Sequence, residues 1–572
     1  MNNVPVFIQG GNWICLDQFF IKTSKQEYYD AILSHKNMGI NLLRVWGGGI
    51  TENKEFYEVC DELGMMVYQE FWMTGDNNGR WAGSYDEPVN VETFKSAIQW
   101  TIQSLRKYAS LSLYGGGNEL YPKNLSPPDS IKQTFYDALN EYDPDRPFIL
   151  SSMDGGLQGM NMSEHDSGYA LAVKDGPYGF LEPGRYFSEP NPGLVNGSDV
   201  TILFQPEIGG SSFPRFESYL EMDVGSEFPG EFDSNVPEDW NWHNFEGYSY
   251  ILSDGSNFDP IYNLGVPKNV EEYAARADIV SRQQYANLFR GFSSKMFEPT
   301  EKGGKTAVIL WKSQSPWPSF RGFTYDYYGA ATGCADGVRE GIGGEFQINA
   351  FDDWTDNSVK IVNRGEKVVR STVSINSPIS NSSETRTGIN EVNSKLITVN
   401  YYDRFGQALT SPQTFTTLPL PPGVSKISGL KYPEHKNVTF IKTEIVDGHT
   451  SWSWTREVNG EVSYEYEELG YWRDNEREGA KVDAEVYGLP NSFGDDEYAS
   501  YAIKLKVKNA IVFAPDVTAR DGDGERILPL LTDVSPVILL GEENFVVRVR
   551  KEKIIKKIEI RMWAGEMVEV DL

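Results

Sequence analysis

The sequence predicts a multidomain protein of the α/β plus all-β kind. A (β/α)8 barrel, the TIM barrel, is expected over residues 1–345, then two immunoglobulin-like β-sandwich domains over 346–455 and 456–572. Three observations predict this. A chain of 572 residues is too long for one hydrophobic core, so about three domains are expected. Up to Gly343, short β-rich apolar runs alternate with helical segments across short connections, the grammar of a parallel sheet with helices outside it. After Gly343 the helical period disappears, and half-buried strands separated by Gly, Asn and Ser turns take over.

Taken in order, Val4–Gln9 reads as the first strand and runs into Gly10-Gly11-Asn12-Trp13. Lys25–Asn37 has Tyr28, Ala31, Ile32 and His35 on one helical face and Gly39 as a stop. Ile40–Trp46 is the second strand, Glu52–Gly64 a helix, and Met65–Phe71 the third strand. Glu92–Tyr108 and Asp129–Tyr142 read as helices around a fourth strand, Ala109–Tyr114, and Pro147–Ser151 follows as the fifth. A sixth is placed near Ala170–Val173, a seventh at Val200–Phe204 and the last at Thr306–Lys312, after a helix over Val270–Met296. Between Glu221 and Pro267 lies a long loop-rich insertion with Trp240 and Trp242; such lengths often form a lid or cleft wall. No dinucleotide-type Gly-x-Gly-x-x-Gly follows the first strand, which disfavours an open nucleotide-binding sheet. Beyond the barrel, Val359–Val362, Val368–Ile375, Leu396–Tyr402 and Val438–Val446 alternate as strands, and from Val482–Tyr487 to Lys556–Met562 a second series does the same.

Composition narrows the partners. With 82 acidic against 52 basic residues the net charge is −30, which suits neither nucleic acid nor an anionic membrane surface. No apolar run reaches spanning length. Cys15, Cys60 and Cys334 are isolated, and the five His lack ligand spacing, so no metal is expected. Aromatics make up 13% of the chain and suit the flat C–H faces of sugars as well as a large core.

The chemistry collects where barrel strands end, which is where this architecture builds its sites. Glu119, after Gly115-Gly116-Gly117-Asn118, and Glu207, within Gln205-Pro206-Glu207-Ile208-Gly209, provide two carboxyl groups at one mouth. Such a pair is the minimum for glycoside cleavage: one carboxyl protonates the departing oxygen, the other attacks or stabilises the anomeric carbon. Asn118 is suited to grip a sugar hydroxyl, and Arg44 to keep a nucleophilic carboxylate charged or to make an ordinary ion pair. Trp13, Trp46, Trp72 and Trp311 are sugar platforms or core plugs. Asp17 and Asn12 bind hydroxyls or cap turns, and Glu70 is a third carboxylate that competes for the acid role.

Together, Gly10-Gly11-Asn12-Trp13, Arg44-Val45-Trp46-Gly47-Gly48-Gly49, Gln69-Glu70-Phe71-Trp72, Gly116-Gly117-Asn118-Glu119 and Phe204-Gln205-Pro206-Glu207-Ile208-Gly209 resemble glycoside hydrolase family 2. Within it they are most similar to the mannosylglycoprotein endo-β-mannosidases known from plants, as are Leu310–Trp317 and Arg526-Ile527-Leu528-Pro529. The resemblance implies a retaining double displacement with Glu119 as acid/base and Glu207 as nucleophile, acting on the Manβ1-4GlcNAc bond of N-glycan cores, with no metal and no organic cofactor. An exo-β-mannosidase or an exo-β-D-glucosaminidase is the nearest alternative, although the latter tends to present Asp at the acid position. A non-catalytic carbohydrate-binding protein is the alternative of another class. Relatives usually carry a sugar-binding β-sandwich and an immunoglobulin-like domain ahead of the barrel, whereas here the barrel begins almost at Met1. The resemblance thus implies further N-terminal domains, or a partner chain carrying them. A secretory, vacuolar, lysosomal or extracellular location would follow from a leader on such a front part.

Overall fold

A computed structural model describes residues 5–19, 22–78, 82–120, 127–152, 173–181, 186–187, 204–210, 212–225, 236–245, 261, 264, 266–297, 305–321, 324–364 except 351–358, 373–375, 395–403, 406–417, 420, 423–427, 440–446, 449–453, 456–458, 461–463, 481–490, 497–508, 512–533, 538–563 and 567–572.

The N-terminal part is an eight-stranded parallel sheet. Its strands are β1 (Ile8–Trp13), β2 (Leu42–Val45), β3 (Met66–Glu70), β4 (Leu111–Gly115), β5 (Phe148–Ile149), β6 (Val173–Tyr178), β7 (Phe204–Gly209) and β8 (Ala307–Leu310). The order is β5-β4-β3-β2-β1-β8-β7-β6, so the first strand pairs in parallel with the last. That is the cyclic order of an eight-stranded barrel read from β5 round to β6; a β5–β6 pairing is not among the described residues. Helices α1 (Lys25–Asn37), α2 (Lys54–Leu63), α3 (Val91–Leu105) and α4 (Asp129–Tyr142) follow the first four strands.

Local chemistry explains the boundaries. Ser24 and Glu27 form a reciprocal capping box at the start of α1, satisfying backbone donors that the first turn leaves open. Asn90 caps α3 through Thr93 N–H, 2.9 Å. Gly39 (φ +90°) and Gly64 (φ +69°) turn the chain out of α1 and α2 in the left-handed region that favours glycine.

Strand parity sorts the sheet's side chains. Leu42, Met66, Tyr68, Leu113, Phe204, Ala307 and Ile309 share one cluster inside the sheet. Their neighbours Leu43, Val67, Tyr114, Val308 and Leu310 join the larger cluster between sheet and helices. Successive side chains of a strand point to opposite faces. The inward face therefore continues from Leu42 to Arg44, from Tyr68 to Glu70 and from Ile8 to Asn12.

Several expectations shift. The first strand is Ile8–Trp13 rather than Val4–Gln9, and it contains the Gly-Gly-Asn-Trp run. The sixth is Val173–Tyr178; residues 170–172, like 200–203 of the seventh, lie outside the described residues. Within the insertion, α5 (Phe216–Glu221) precedes α6 (Glu238–Trp242). Trp240 is a fully buried plug against Phe213, Tyr219 and Phe320, whereas Trp242 is 73% exposed. After the long α7 (Val270–Ser293) comes α8 (Gly333–Ile342), a helix absent from the sequence reading.

Past α8 the described strands pair antiparallel but for one parallel pair. One four-stranded sheet contains Phe346–Ala350 and Val359–Asn363, and a second contains Leu396–Tyr402 and Phe440–Ile445. Ile348, Ile361, Val399 and Ile441 share a core between them. A further pair of four-stranded sheets, over Lys481–Asp571, encloses Ile503, Leu505, Val547, Ile558 and Ile560. This C-terminal unit docks on the N-terminal part: Asp30 of α1 accepts from Tyr498 Oη (2.7 Å) and Arg550 Nε (3.1 Å), and Arg526 Nη1 donates to Ser218 Oγ (3.0 Å).

Candidate active site

Arg44 is the centre of the site. It stands near the C-terminal end of β2, on the inward face, and has no exposed surface. Its Nη1 donates to Asn12 Oδ1 (2.6 Å) and Glu207 Oε2 (2.8 Å). Its Nη2 donates to both oxygens of Glu70 (2.8 and 2.9 Å) and to Asn118 Oδ1 (2.6 Å). Burial works against the guanidinium's charge, but Glu70 and Glu207 outweigh it and raise its pKa further. One planar fork thus ties groups at the ends of β1, β3 and β7 and beyond the end of β4.

The Gly115–Gly117 run is explained by space. An added Cβ would lie 2.6 Å from the Tyr68 ring at Gly115, 2.4 Å from Leu150 O at Gly116 and 2.5 Å from Met73 O at Gly117. None of the three takes a positive φ; that conformation falls on Glu119 itself, at φ +52°. A non-glycine residue there is strained by about 1 kcal/mol or more, and such strain clusters at functional positions. Two serines hold the turn: Glu119 N–H donates to Ser152 Oγ and Leu120 N–H to Ser151 Oγ, each 2.9 Å. Ser152 Oγ in turn donates to Asn118 Oδ1, 3.2 Å. With Oδ1 accepting from Ser152 and Arg44, the Asn118 amide has a fixed orientation in which its amino group serves neither partner.

Glu207 is 4% exposed and Glu119 7%. Tyr178, at the end of β6, donates to Glu207 Oε1 at 2.5 Å, so each oxygen of Glu207 has a donor. Lys312 and Arg321 add positive charge near Glu207. Burial, with Arg321 beside it, pushes the Lys312 ammonium down to about 7 while Cys15 and Glu207 oppose the shift. Burial likewise lowers Arg321, against Glu207 and Tyr178.

The remaining expected residues separate. Glu70 is buried and is gripped by Arg44, Gly47 N–H (2.8 Å) and Tyr68 Oη (3.0 Å), which makes it a brace rather than a substrate ligand. Trp13 is 1% exposed and lies among Tyr28, His35 and Phe56 on the helix side of β1, with Nε1 on Glu52 (2.9 Å), so no face is open to a sugar. Trp72 donates to Thr51 Oγ1 (3.1 Å) and packs on Phe71 and Phe94. Asp17 accepts from Phe19 N–H (2.7 Å) and Tyr327 Oη (2.9 Å), which is turn capping. Trp46 and Trp311 remain together, edge to face at 5.3 Å, at the ends of β2 and β8. Sequence reasoning missed Tyr178, Ser151 and Ser152. The last two were legible as hydroxyls following a strand end; Tyr178 was hidden by the misplaced sixth strand. Among the described residues no group of three or more His, Cys, Asp or Glu is placed to hold a metal ion, and no helix is long and apolar enough to cross a membrane.

Comparisons with known proteins place this geometry in context. No protein-family model matches the chain. Mannosylglycoprotein endo-beta-mannosidase of Lilium longiflorum is 31% identical over 359 residues, covering 57% of this chain and 35% of the lily protein. Beta-mannosidase B of Thermothelomyces thermophilus is 24% identical over 342 residues (57% and 38%), and the Rattus norvegicus beta-mannosidase 31% over 176 (28% and 19%). This chain thus spans little more than a third of these curated relatives at most. Among solved structures, the Amycolatopsis orientalis exo-chitosanase CsxA matches 100% of this chain and 64% of its own at a TM-score of 0.74 and 16% identity. The Dictyoglomus thermophilum beta-D-mannosidase matches 98% and 60% at 0.66 and 17%. At such identities these structures speak to fold alone. The chain is a relative of the β-mannosidases and of mannosylglycoprotein endo-β-mannosidase, as its motifs anticipate, and it shares its fold with solved glycoside hydrolases.

Proposed function

We propose that this chain carries the catalytic part of a retaining glycoside hydrolase that cleaves β-mannosidic bonds, its preferred target being the Manβ1-4GlcNAc linkage of N-glycan cores. The observation that carries the reading is the Arg44 fork, which binds Glu207 through one terminal nitrogen and Asn118, the neighbour of Glu119, through the other. The cyclic strand order supports a closed (β/α)8 barrel over residues 1–345, and the two later cores support β-sandwich domains over 346–455 and 456–572.

In this reading Glu207, held ionised by Arg44 and Tyr178, attacks the anomeric carbon. The glycosidic C–O bond breaks as Glu119 passes its proton to the leaving oxygen. The resulting Glu119 carboxylate takes a proton from water, whose oxygen displaces Glu207 and restores both groups. The free amino group of Asn118 donates to a hydroxyl of the sugar being cut, and Trp46 and Trp311 provide an aromatic wall. Carboxyl groups about 5–5.5 Å apart are required.

The test compares wild type with Glu207→Gln and Glu119→Gln on a branched N-glycan core, an aryl β-mannoside and a chitosan oligomer. Cleavage between mannose and GlcNAc, reduced at least ~10³-fold in both variants and releasing the β-anomer first by NMR, is expected. Hydrolysis of only the plain mannoside, or only of chitosan, would move the assignment to the exo-acting alternatives. An α-anomer as first product would overturn the retaining mechanism.

A further inference from the structure

Helix α6 carries two tryptophans two residues apart, a spacing that points helical side chains to nearly opposite sides. Trp240 goes inward, against Phe213 of the segment after β7 and Phe320 of the segment after β8. It anchors the insertion on two loops that leave the candidate site. Trp242 therefore goes outward and stays 73% exposed, so burial does not account for an indole at that position.

The loop after β8 fixes where Trp242 stands. Its base is closed: Ser313 N–H donates to Asn12 O (2.9 Å), and Ser313 O accepts from Thr324 N–H (3.1 Å). Lys312 before it and Arg321 within it both feel the charge of Glu207. Between them lies Trp317, half-buried and only four residues from Arg321, a reach of ~14 Å at most. Trp242 meets Trp317 edge to face at 6.4 Å, and His243 stacks beside Trp317 at 6.1 Å. The insertion holds this loop by its backbone: His243 Nδ1 donates to Pro318 O (2.9 Å), and Phe320 N–H donates to His243 O (2.8 Å). One loop thus joins two indole pairs, Trp46–Trp311 at the mouth and Trp242–Trp317 outside it.

We propose that Trp242, backed by Trp317, is a stacking platform on the rim of the mouth for a neutral pyranose ring one or more residues away from the mannose at Glu207. An indole face attracts polarised C–H groups and offers a flat apolar area, which the C–H face of a sugar matches. Continuity with the inner pair selects the occupant as the remainder of the same glycan. The inference rests on the glycosidase reading of that mouth and deepens it. A platform outside the mouth serves only a substrate that extends past the sugar being cut, so it favours extended glycans over a lone mannoside. The ring comes either from the GlcNAc side of the scissile bond or from an α-mannosyl branch.

The experiment titrates catalytically silenced Glu207→Gln protein by calorimetry with Manβ1-4GlcNAcβ1-4GlcNAc and with Manα-Manβ1-4GlcNAc. It is repeated with Trp242→Ala and with Trp242→Phe added; Glu119→Gln is the silenced background should loss of the Glu207 charge unfold the mouth. Trp242→Ala is expected to weaken binding roughly tenfold, the scale of one stacking contact, at an unchanged melting temperature, and Trp242→Phe to restore most of it. A loss confined to the first trisaccharide places a GlcNAc on the platform, and a loss confined to the second places the branch there. Equal affinities with and without Trp242, or no binding of either trisaccharide, overturn the platform. So does weaker binding that comes with a lower melting temperature and is not restored by phenylalanine. Binding that depends on Trp242 in a protein whose wild type cleaves neither glycan would instead overturn the hydrolase reading and leave the platform standing.

Discussion

At the residue scale, Arg44 decides most. It is fully buried between Glu70 and Glu207, so its removal strands two carboxylates in a dry environment. Breaking a buried pair this way typically costs ~3–5 kcal/mol. Arg44→Lys keeps the charge but loses the fork. We expect a fall in melting temperature and a drop in kcat of at least ~10²-fold with KM little changed, because the lesion is in carboxylate placement; a normal kcat would remove Arg44 from the mechanism. Two histidines predict the pH response. Burial lowers His35 to about 4, and burial together with Arg290 lowers His449 to about 3, from 6.5. Between about pH 4 and 6.5 the unfolded chain therefore binds protons that the folded chain does not. These two groups should make stability rise with pH across that window, by up to ~1.4 kcal/mol per unit per histidine. Asp278 opposes them: burial raises its carboxyl to about 6, so its contribution falls with pH over the same range, while Lys312, lowered to about 7, carries a rise on above pH 7. Melting curves from pH 4 to 7 check this, and His449→Gln should flatten the slope. Much of the site was legible in the sequence: Glu119, Glu207, Asn118 and Arg44 were each singled out at strand ends. Trp13, open between sugar platform and core plug, was decidable from parity, since it is one residue out of step with Asn12 and faces the helices. Glu70 was readable in the same way, but a sequence does not say which of three carboxylates the guanidinium will grip.

At the element scale, Lys25–Asn37 was recovered where an apolar face and a glycine stop coincide. The helix that was missed, α8, shows why propensity fails. It contains Gly333, Gly337 and Gly341 at four-residue spacing, which reads locally as loop. The stripe faces α7, where an added Cβ would lie 2.0 Å from Asp278 O, 2.1 Å from Arg282 O and 2.5 Å from Ala286 O. Close backbone approach, a tertiary property, is what selects the glycines. Gly337→Ala should therefore destabilise although alanine is intrinsically the better helix former by about 1 kcal/mol. The clash, of order 1–3 kcal/mol, wins. Thermal denaturation beside Gly344→Ala, where a Cβ meets nothing within 4 Å, checks the sign.

At the scale of the whole molecule, the change of grammar after Gly343 marks where parallel sheet gives way to antiparallel sheets, a distinction that periodicity alone carries. What periodicity does not carry is how the units dock. The joint between the parallel-sheet part and the C-terminal unit has an ionic component: Arg215 bridges Asp278 (2.8 Å) and Asp516 (3.3 Å), and Asp30 receives Arg550, beside Tyr498 and Leu531, which join the N-terminal core. Asp516 and Arg550 lie hundreds of residues from Arg215 and Asp30, and only the tertiary structure pairs them.

The Arg44 fork also sets a clock. Its acceptors come from residues 12, 70, 118 and 207, so the guanidinium is not sheathed until strands from both ends of the barrel sequence have arrived in register. Contacts of such long sequence separation form late. Hydrolytic competence should then be among the last properties recovered on refolding from urea, trailing far-UV ellipticity. Stopped-flow ellipticity run beside activity regain would reveal the lag, and simultaneous recovery would show that the pocket assembles with the helices.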